Sequence, residues 1–259
     1  MDNSIYQHFR KDEAPFIDRM TDLMTTAATE YRPVVTEFLD PRQNFIIHAL
    51  NRDDQIELHE FGGYDQAEQK RVIIAPDYFE PTPADFGITP IKINYPEKFA
   101  ELKHGQILGT IANLGIDRDV FGDIITDGRN WQLFVTNAVA DFVVRQTDHV
   151  GKIKVRLEPI DFDQVITPIV EWESENLVVA SPRLDTVVAD VFNVSRQRTK
   201  TMIEAGQVKV NWRVMDKPDY DLDQLDMISV RHYGRFQIMA DLGQTRKEKI
   251  RLQIRTLRK

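Results

Sequence analysis

The chain has 259 residues, 42% hydrophobic and 29% charged, which at ~150 residues per domain gives one to three domains with a sizeable core and excludes a wholly disordered chain. It has no cysteine, so disulfides, thiol nucleophiles, iron–sulfur ligation and Cys-based zinc sites are excluded, and a reducing cytoplasm is the expected home. The net charge of −8 argues, taken alone, against a nucleic-acid partner; no apolar run reaches the ~18 residues of a membrane span, and Met1-Asp2-Asn3-Ser4 lacks the marks of a secretory signal.

Residues 5–29 read as a helix, with Phe16, Ile17, Met20, Leu23, Met24 and Ala27 at spacings of three and four. Tyr31-Arg32-Pro33 ends or bends it. Residues 34–39 continue to the Asp40-Pro41 break, and residues 42–51 form a further short helix. Residues 56–61 alternate weakly into the Gly62-Gly63 turn signal, and residues 71–75 form a short apolar strand. Pro76, Pro81 and Pro83, with Asp77, Glu80 and Asp85, then place a boundary near residue 78.

The middle segment has another texture. A strand is expected over 88–95, a turn or short helix over 96–102 and a helix over 105–114 that ends at Gly115. A hairpin joins 123–126 to 131–135 through Asp127-Gly128; a helix over 138–147 and a strand over 152–157 come next. Acids and prolines between residues 158 and 181 set a second boundary, and residues 177–180 read as a strand that belongs to the C-terminal module. The expected class is α+β in three modules: an N-terminal α/β domain over residues 1–78, a middle α+β domain over 79–165 and a C-terminal module over 177–259.

Charge changes sign along the chain. Residues 182–259 hold 16 basic and 10 acidic side chains, net +6, which leaves residues 1–181 at net −14. Such asymmetry suggests separate modules, one suited to a polyanion. Residues 244–259 alone carry seven basic side chains and one acid, while 182–243 balance at nine of each, so an RNA surface there must come from clustering. A solvated basic tail is the alternative to such a surface. The acidic half could face protein partners or keep the chain soluble.

In the C-terminal module Leu184, Val187, Val188 and Val191 mark one face of a helix stopped by Asn193. Ser195 is suited to cap a second helix over 196–205, which buries Met202 and Ile203 and ends at Gly206. Strands are expected over 207–210, 227–230 and 236–239, with Asn211-Trp212 as a turn. Arg196 and Lys200, four apart at the start of the second helix, share a face where free N–H groups also favour phosphate. In Lys249-Ile250-Arg251-Leu252-Gln253-Ile254-Arg255, apolar and polar residues alternate strictly. That strand either extends a phosphate-tracking surface or is an edge strand guarded by its charges.

The string Arg183-Leu184-Asp185, Ser195-Arg196, Met202 to Asn211 and Asp226-Met227-Ile228-Ser229-Val230-Arg231 closely resembles the S4 RNA-binding domain. The resemblance implies the αL fold and binding of structured RNA. It matches Arg183, Asp185, Ser195 and Arg196 to the family's opening, and Lys209 and Asn211 to its strand-turn. With Lys200, Arg213 and Arg235 these are the expected RNA-binding residues; Asp185 is expected to orient an arginine. Where many members have glycine this chain has Leu225, so its turn is expected to use another geometry. Ile5-Tyr6-Gln7-His8-Phe9-Arg10, Phe38-Leu39-Asp40-Pro41-Arg42, Tyr95-Pro96-Glu97-Lys98-Phe99, Leu114-Gly115-Ile116 and Phe121-Gly122-Asp123-Ile124 extend the resemblance along nearly the whole chain, to the bacterial YlmH family. That implies an RNA-binding middle domain and a non-enzymatic role in ribosome-associated quality control, with rRNA, tRNA and the large (50S) subunit as partners. A cell-division adaptor with secondary RNA binding is the alternative.

Enzyme readings find little support. The tyrosyl-tRNA synthetase signatures and a Gly-x-Gly-x-x-Gly loop are missing, and the only Arg-Leu-Asp of the pseudouridine-synthase kind is the S4 opening itself. The six histidines show no metal-ligand spacing, and Gly-x-Ser-x-Gly is absent. Gly122-Asp123 reads as a turn or loop aspartate before a catalytic acid, and Tyr6, His8, Phe9 and Arg10 as helix core before an RNA patch. His104 and Arg118 read as an RNA-contact or packing pair. No catalytic residue, metal or cofactor is expected; an RNA-modifying enzyme with an unrecognised middle domain remains the third reading, and a bound nucleotide in purified protein would favour it.

Overall fold

The computed structural model describes residues 9–51, 55–169 and 172–258. Contacts gather the chain into two compact units, residues 1–169 and 170–259. Among the described residues no helix is long and apolar enough to cross a membrane.

In the first unit a 3-10 turn at Lys11–Glu13 leads into α1 (Ala14–Glu30). The helix starts well after residue 5 because Pro15 belongs in a first turn, where its missing N–H leaves no bond unmade; residues 1–8, with Tyr6 and His8, lie outside the described residues. Tyr31, at φ 50°, closes α1 in the left-handed region. After β1 (Val34–Val35), Asp40 caps α2 (Pro41–Leu50): its carboxylate accepts from the Gln43 amide at 2.8 Å, and the Gln43 side chain accepts from the Asp40 amide at 3.0 Å. β2 (Ile56–Phe61) and β3 (Arg71–Pro76) complete a three-stranded sheet in the order β1-β3-β2. Alternation along β3 splits its side chains: Val72 and Ile74 pack on α1 and α2 with Ile17, Met20 and Ile47, whereas Ile73 and Ala75 join a second core.

That second core includes Phe38, Phe86, Ile88, Ile125 and Phe134. It lies against the strands β4 (Ile88–Asn94), β5 (Phe121–Thr126) and β6 (Trp131–Thr136), three of the four in an antiparallel sheet, with α3 (His104–Ala112) and α4 (Asn137–Gln146) packed by Ile107, Ile111 and Val143 over Ile91, Leu133 and Val135. The single strand expected over 152–157 is broken. β7 (His149–Val150) and β8 (Ile153–Lys154) pair as a small hairpin, the Val155 amide donates to Asp148, and β9 (Arg156–Pro159) joins β4 at the sheet edge. Asp123 lies on β5, not in a loop; its carboxylate accepts from the Tyr64 hydroxyl at 2.8 Å and the Glu68 and Gln69 amides at 2.7 and 3.3 Å. Burial and the nearby Glu68 push that carboxyl up to about 6, against the downward pull of these donors.

The second unit is one six-stranded antiparallel sheet with two helices on one face. β10 (Glu173–Val179), α5 (Leu184–Val191), α6 (Arg196–Glu204), β11 (Val208–Val210), β12 (Arg213–Val214), β13 (Met227–Val230), β14 (Gly234–Gln244) and β15 (Ile250–Arg258) come in that order, with the strands arranged β10-β15-β14-β13-β11-β12. Val187, Val188 and Val191 of α5 and Met202 and Ile203 of α6 pack on Val208, Ile228, Phe236 and Ile254. The charged-edge reading of the last strand is overturned: β15 lies between β10 and β14, and its alternation turns Leu252 and Ile254 to the core and Arg251 and Arg255 away. Pairing with β15 also carries β14 beyond the expected 236–239. Where that pairing begins, Gly234 sits at φ 127° with the Leu257 carbonyl oxygen 2.2 Å from where a Cβ would stand. Leu225, expected to force a different turn, keeps the left-handed geometry at φ 66°.

Candidate nucleic-acid interface

The first cluster forms where α5 and α6 begin. Asp185, in the first turn of α5, is wholly buried. Its carboxylate accepts from Arg183 Nε at 3.1 Å and Nη2 at 3.2 Å, from Arg196 Nη2 at 3.1 Å and from the Thr186 hydroxyl at 3.2 Å. Burial raises its pKa, but the hydrogen bonds and charges of Arg183 and Arg196 outweigh that and hold it below the ordinary carboxylate range. Both arginine side chains stay in reach of solvent, at 37% and 54% exposure. A covered anion thus orients two accessible cations, each with donors left for a phosphate. Asp185 is therefore a positioning residue; it has no surface to offer RNA.

Ser195 caps α6 by accepting from the Arg198 amide at 3.3 Å. It sets the helix start that carries Arg196 and, one turn on, half-buried Lys200. Asn211 also builds structure: its side chain donates to buried Asp226 at 2.9 Å and accepts from the Met227 amide at 2.9 Å, while Asn211 and Trp212 both adopt positive φ in the two-residue turn between β11 and β12.

Lys209 and Arg235 belong to a different surface. Register aligns Lys209 with Ser229 and Ser229 with Arg235, so all three share the sheet face away from α5 and α6. There the Arg235 and Arg255 guanidinium carbons lie 4.9 and 4.5 Å from the Trp172 ring centre. Arg255 also donates to Gln237 at 2.8 Å, which fixes the stack. Arg213 is exposed on the outermost strand, β12. The expected RNA-binding residues thus divide between a helix-start cluster and an outer sheet face. Sequence reasoning missed Trp172, which lies ahead of the expected module start at residue 177; a lone tryptophan amid acids was the available signal. The basic tail is partly neutralised, with Arg258 bound to Glu173 and Glu175 at 3.2 and 2.6 Å.

In the first unit, Arg118 lies over the Phe121 ring at 4.2 Å, while His104 is exposed at the start of α3 and Phe99 is 90% exposed. Among the described residues no three His, Asp or Glu side chains gather as a metal ion requires.

Three family models match the chain in order: the YlmH N-terminal domain over residues 12–79, the candidate RNA-binding domain in YlmH over 81–164 and the S4 domain over 182–228. The ribosome-associated protein quality control protein P2 of Bacillus subtilis (strain 168) is 39% identical over 250 residues, which cover 96% of this chain and 97% of that protein. A solved structure, the cell division protein ylmH from Streptococcus pneumoniae, is similar at 33% identity and a TM-score of 0.54, covering 62% of this chain and 99% of its own. Identity at this level over almost the whole length, with every domain model in sequence, makes the chain a member of the YlmH family.

Proposed function

We propose that this protein binds structured RNA without catalysing a reaction, and that it does so on the large ribosomal subunit, engaging rRNA and tRNA in cytoplasmic quality control of stalled peptidyl-tRNA complexes. The observation that carries the RNA part is the Arg183–Asp185–Arg196 constellation, in which a buried carboxylate presets two exposed guanidinium groups at neighbouring helix starts. The ribosomal part is supported by the name of the Bacillus subtilis relative. Lys209, Arg213, Arg235 and Lys200 supply further phosphate contacts, while Ser195 and Asn211 act by shaping the backbone.

Affinity for a structured RNA measured across a salt series tests the RNA part. Each phosphate contact adds roughly 0.7–0.9 to the slope of log affinity against log salt, so Arg196→Glu with Lys200→Glu should lower the slope by roughly 1.4–1.8 and the affinity at least tenfold. An unchanged slope and affinity would remove the helix-start cluster from the interface. A second reading, a cell-division adaptor, draws on the Streptococcus pneumoniae relative, which is named a cell division protein. It requires a division phenotype that survives the same charge reversal.

A further inference from the structure

α6 carries a third cationic side chain, Arg198, that neither the helix-start cluster nor Lys200 accounts for. Thr199, Met202 and Ile203 form its buried stripe. By helical periodicity Arg196 and Lys200 lie on one flank of that stripe and Arg198 and Thr201 on the other. On the latter flank α6 meets the turn between β13 and β14. Together they border a shallow, solvent-open cleft of about 350 Å³ lined by Arg198, Gln207, Arg231, His232 and Tyr233, among others, with no acidic lining residue. Its size falls at the lower end of small-ligand pockets, ~300–1,000 Å³. This contrasts with Arg183, Arg196 and Arg258, each of which has a carboxylate partner.

The cleft is organised. Tyr233 is backed by Phe192 at 5.6 Å between ring centres, and its amide donates to the Val230 carbonyl at 3.0 Å, which holds the turn that carries the ring. The Arg231 amide donates to the Gln207 carbonyl at 2.9 Å and ties the turn to the end of α6. The Arg198 guanidinium carbon stands 6.0 Å from the Tyr233 ring centre. A planar base held between the two needs more room than that, so the flexible, exposed Arg198 side chain has to swing aside to admit it. His232, at φ 72°, takes a left-handed conformation that is costly for residues with a Cβ. Such strain persists where surroundings over-determine it, commonly at ligand clamps.

We infer that this cleft receives a single unpaired nucleotide of the bound RNA, its base stacked on Tyr233 beneath Arg198 and its phosphate held by Arg231 and His232. The inference rests on the RNA-binding reading and adds a subsite separate from the helix-start cluster. Arg and aromatic faces are the usual receptors for a splayed-out base.

The test compares two RNA hairpins that differ by one bulged nucleotide, each titrated with the full-length protein, alongside free AMP. The wild type should prefer the bulged hairpin by about tenfold, as expected for one base–aromatic stack. Tyr233→Leu and, separately, the surface change Arg198→Ala should remove that preference while leaving affinity for the perfect hairpin unchanged; Arg196→Ala should weaken both hairpins alike. Because Tyr233 packs on Phe192, Arg198→Ala keeps the test informative should Tyr233→Leu fail to fold. Equal wild-type affinity for the two hairpins overturns the subsite and leaves the RNA-binding reading standing. Saturation by AMP without any bulge preference overturns it in favour of a free nucleotide. Binding to neither hairpin overturns both readings.

Discussion

Replacing Asp185 with asparagine keeps the shape of the side chain and removes the charge that orders Arg183 and Arg196. Four donors converge on the two carboxylate oxygens, at 3.1–3.2 Å. An asparagine offers one acceptor oxygen and turns an NH2 group towards the remaining donors. Breaking a fully buried ion pair costs roughly 3–5 kcal/mol and an exposed one at most about 1 kcal/mol. Here the anion is wholly covered and the cations are 37% and 54% exposed, so they can turn to water. A cost between these limits, about 2 kcal/mol, is expected, equivalent to roughly 8–16 °C in the unfolding transition of a unit this size. Calorimetry of the full-length protein measures it. RNA affinity gives a second readout with an unexpected sign. Removing an acid from a polyanion-binding surface should, on charge alone, tighten binding; loss of order in two arginines, at ~0.5–1.5 kcal/mol each, should instead weaken it severalfold. A destabilisation below about 0.5 kcal/mol together with tighter RNA binding would refute the positioning role.

Gly234→Ala places a Cβ 2.2 Å from the Leu257 carbonyl oxygen at φ 127°, and chemical denaturation should show a loss of about 3 kcal/mol or more. Asp123 gives a pH signature. Its carboxyl is held at about 6 against an ordinary value of 3.8, so its contribution favours the folded state fully below about pH 4 and is lost as pH rises through 6. Asp123→Asn should therefore flatten the pH dependence of first-unit stability between pH 4 and 6, by up to ~3 kcal/mol, and an unchanged profile in denaturant titrations would count against a raised value. Asp185 has the opposite sign: its lowered pKa gives stability present above about pH 4 and lost as acid protonates it, so the stability difference between wild type and Asp185→Asn should shrink below that pH.

The helices of the second unit were legible because their signals are local. The Leu184, Val187, Val188 and Val191 stripe and the Ser195 cap each concern one turn of chain, and both stand where expected. A strand was legible at 177–180, although β10 begins four residues earlier and ends at Val179, and its partner was not: β10 pairs with β15 across more than seventy residues, and nothing in either segment names the other. The same long-range pairing placed β15 inside the sheet and brought both Arg235 and Arg255 against Trp172. Leu225 misled because a side chain at positive φ is costly in isolation; here its amide donates to the Ile238 carbonyl at 2.7 Å and its carbonyl accepts from Gln237, so the surroundings hold the turn. The candidate residues could be named in the sequence by type alone. Whether each contacts a ligand or builds the site, as Asp185 and Asn211 do, depended on burial and on bonds to distant residues.

Co-sedimentation with large ribosomal subunits, with and without bound peptidyl-tRNA, tests the central claim most directly. The wild-type chain should pellet with subunits that carry the tRNA, be released as salt rises and stay in the supernatant when Arg196 and Lys200 are changed to glutamate. No sedimentation of the wild type at low salt, or sedimentation indifferent to the tRNA and to the charge reversal, would contradict it.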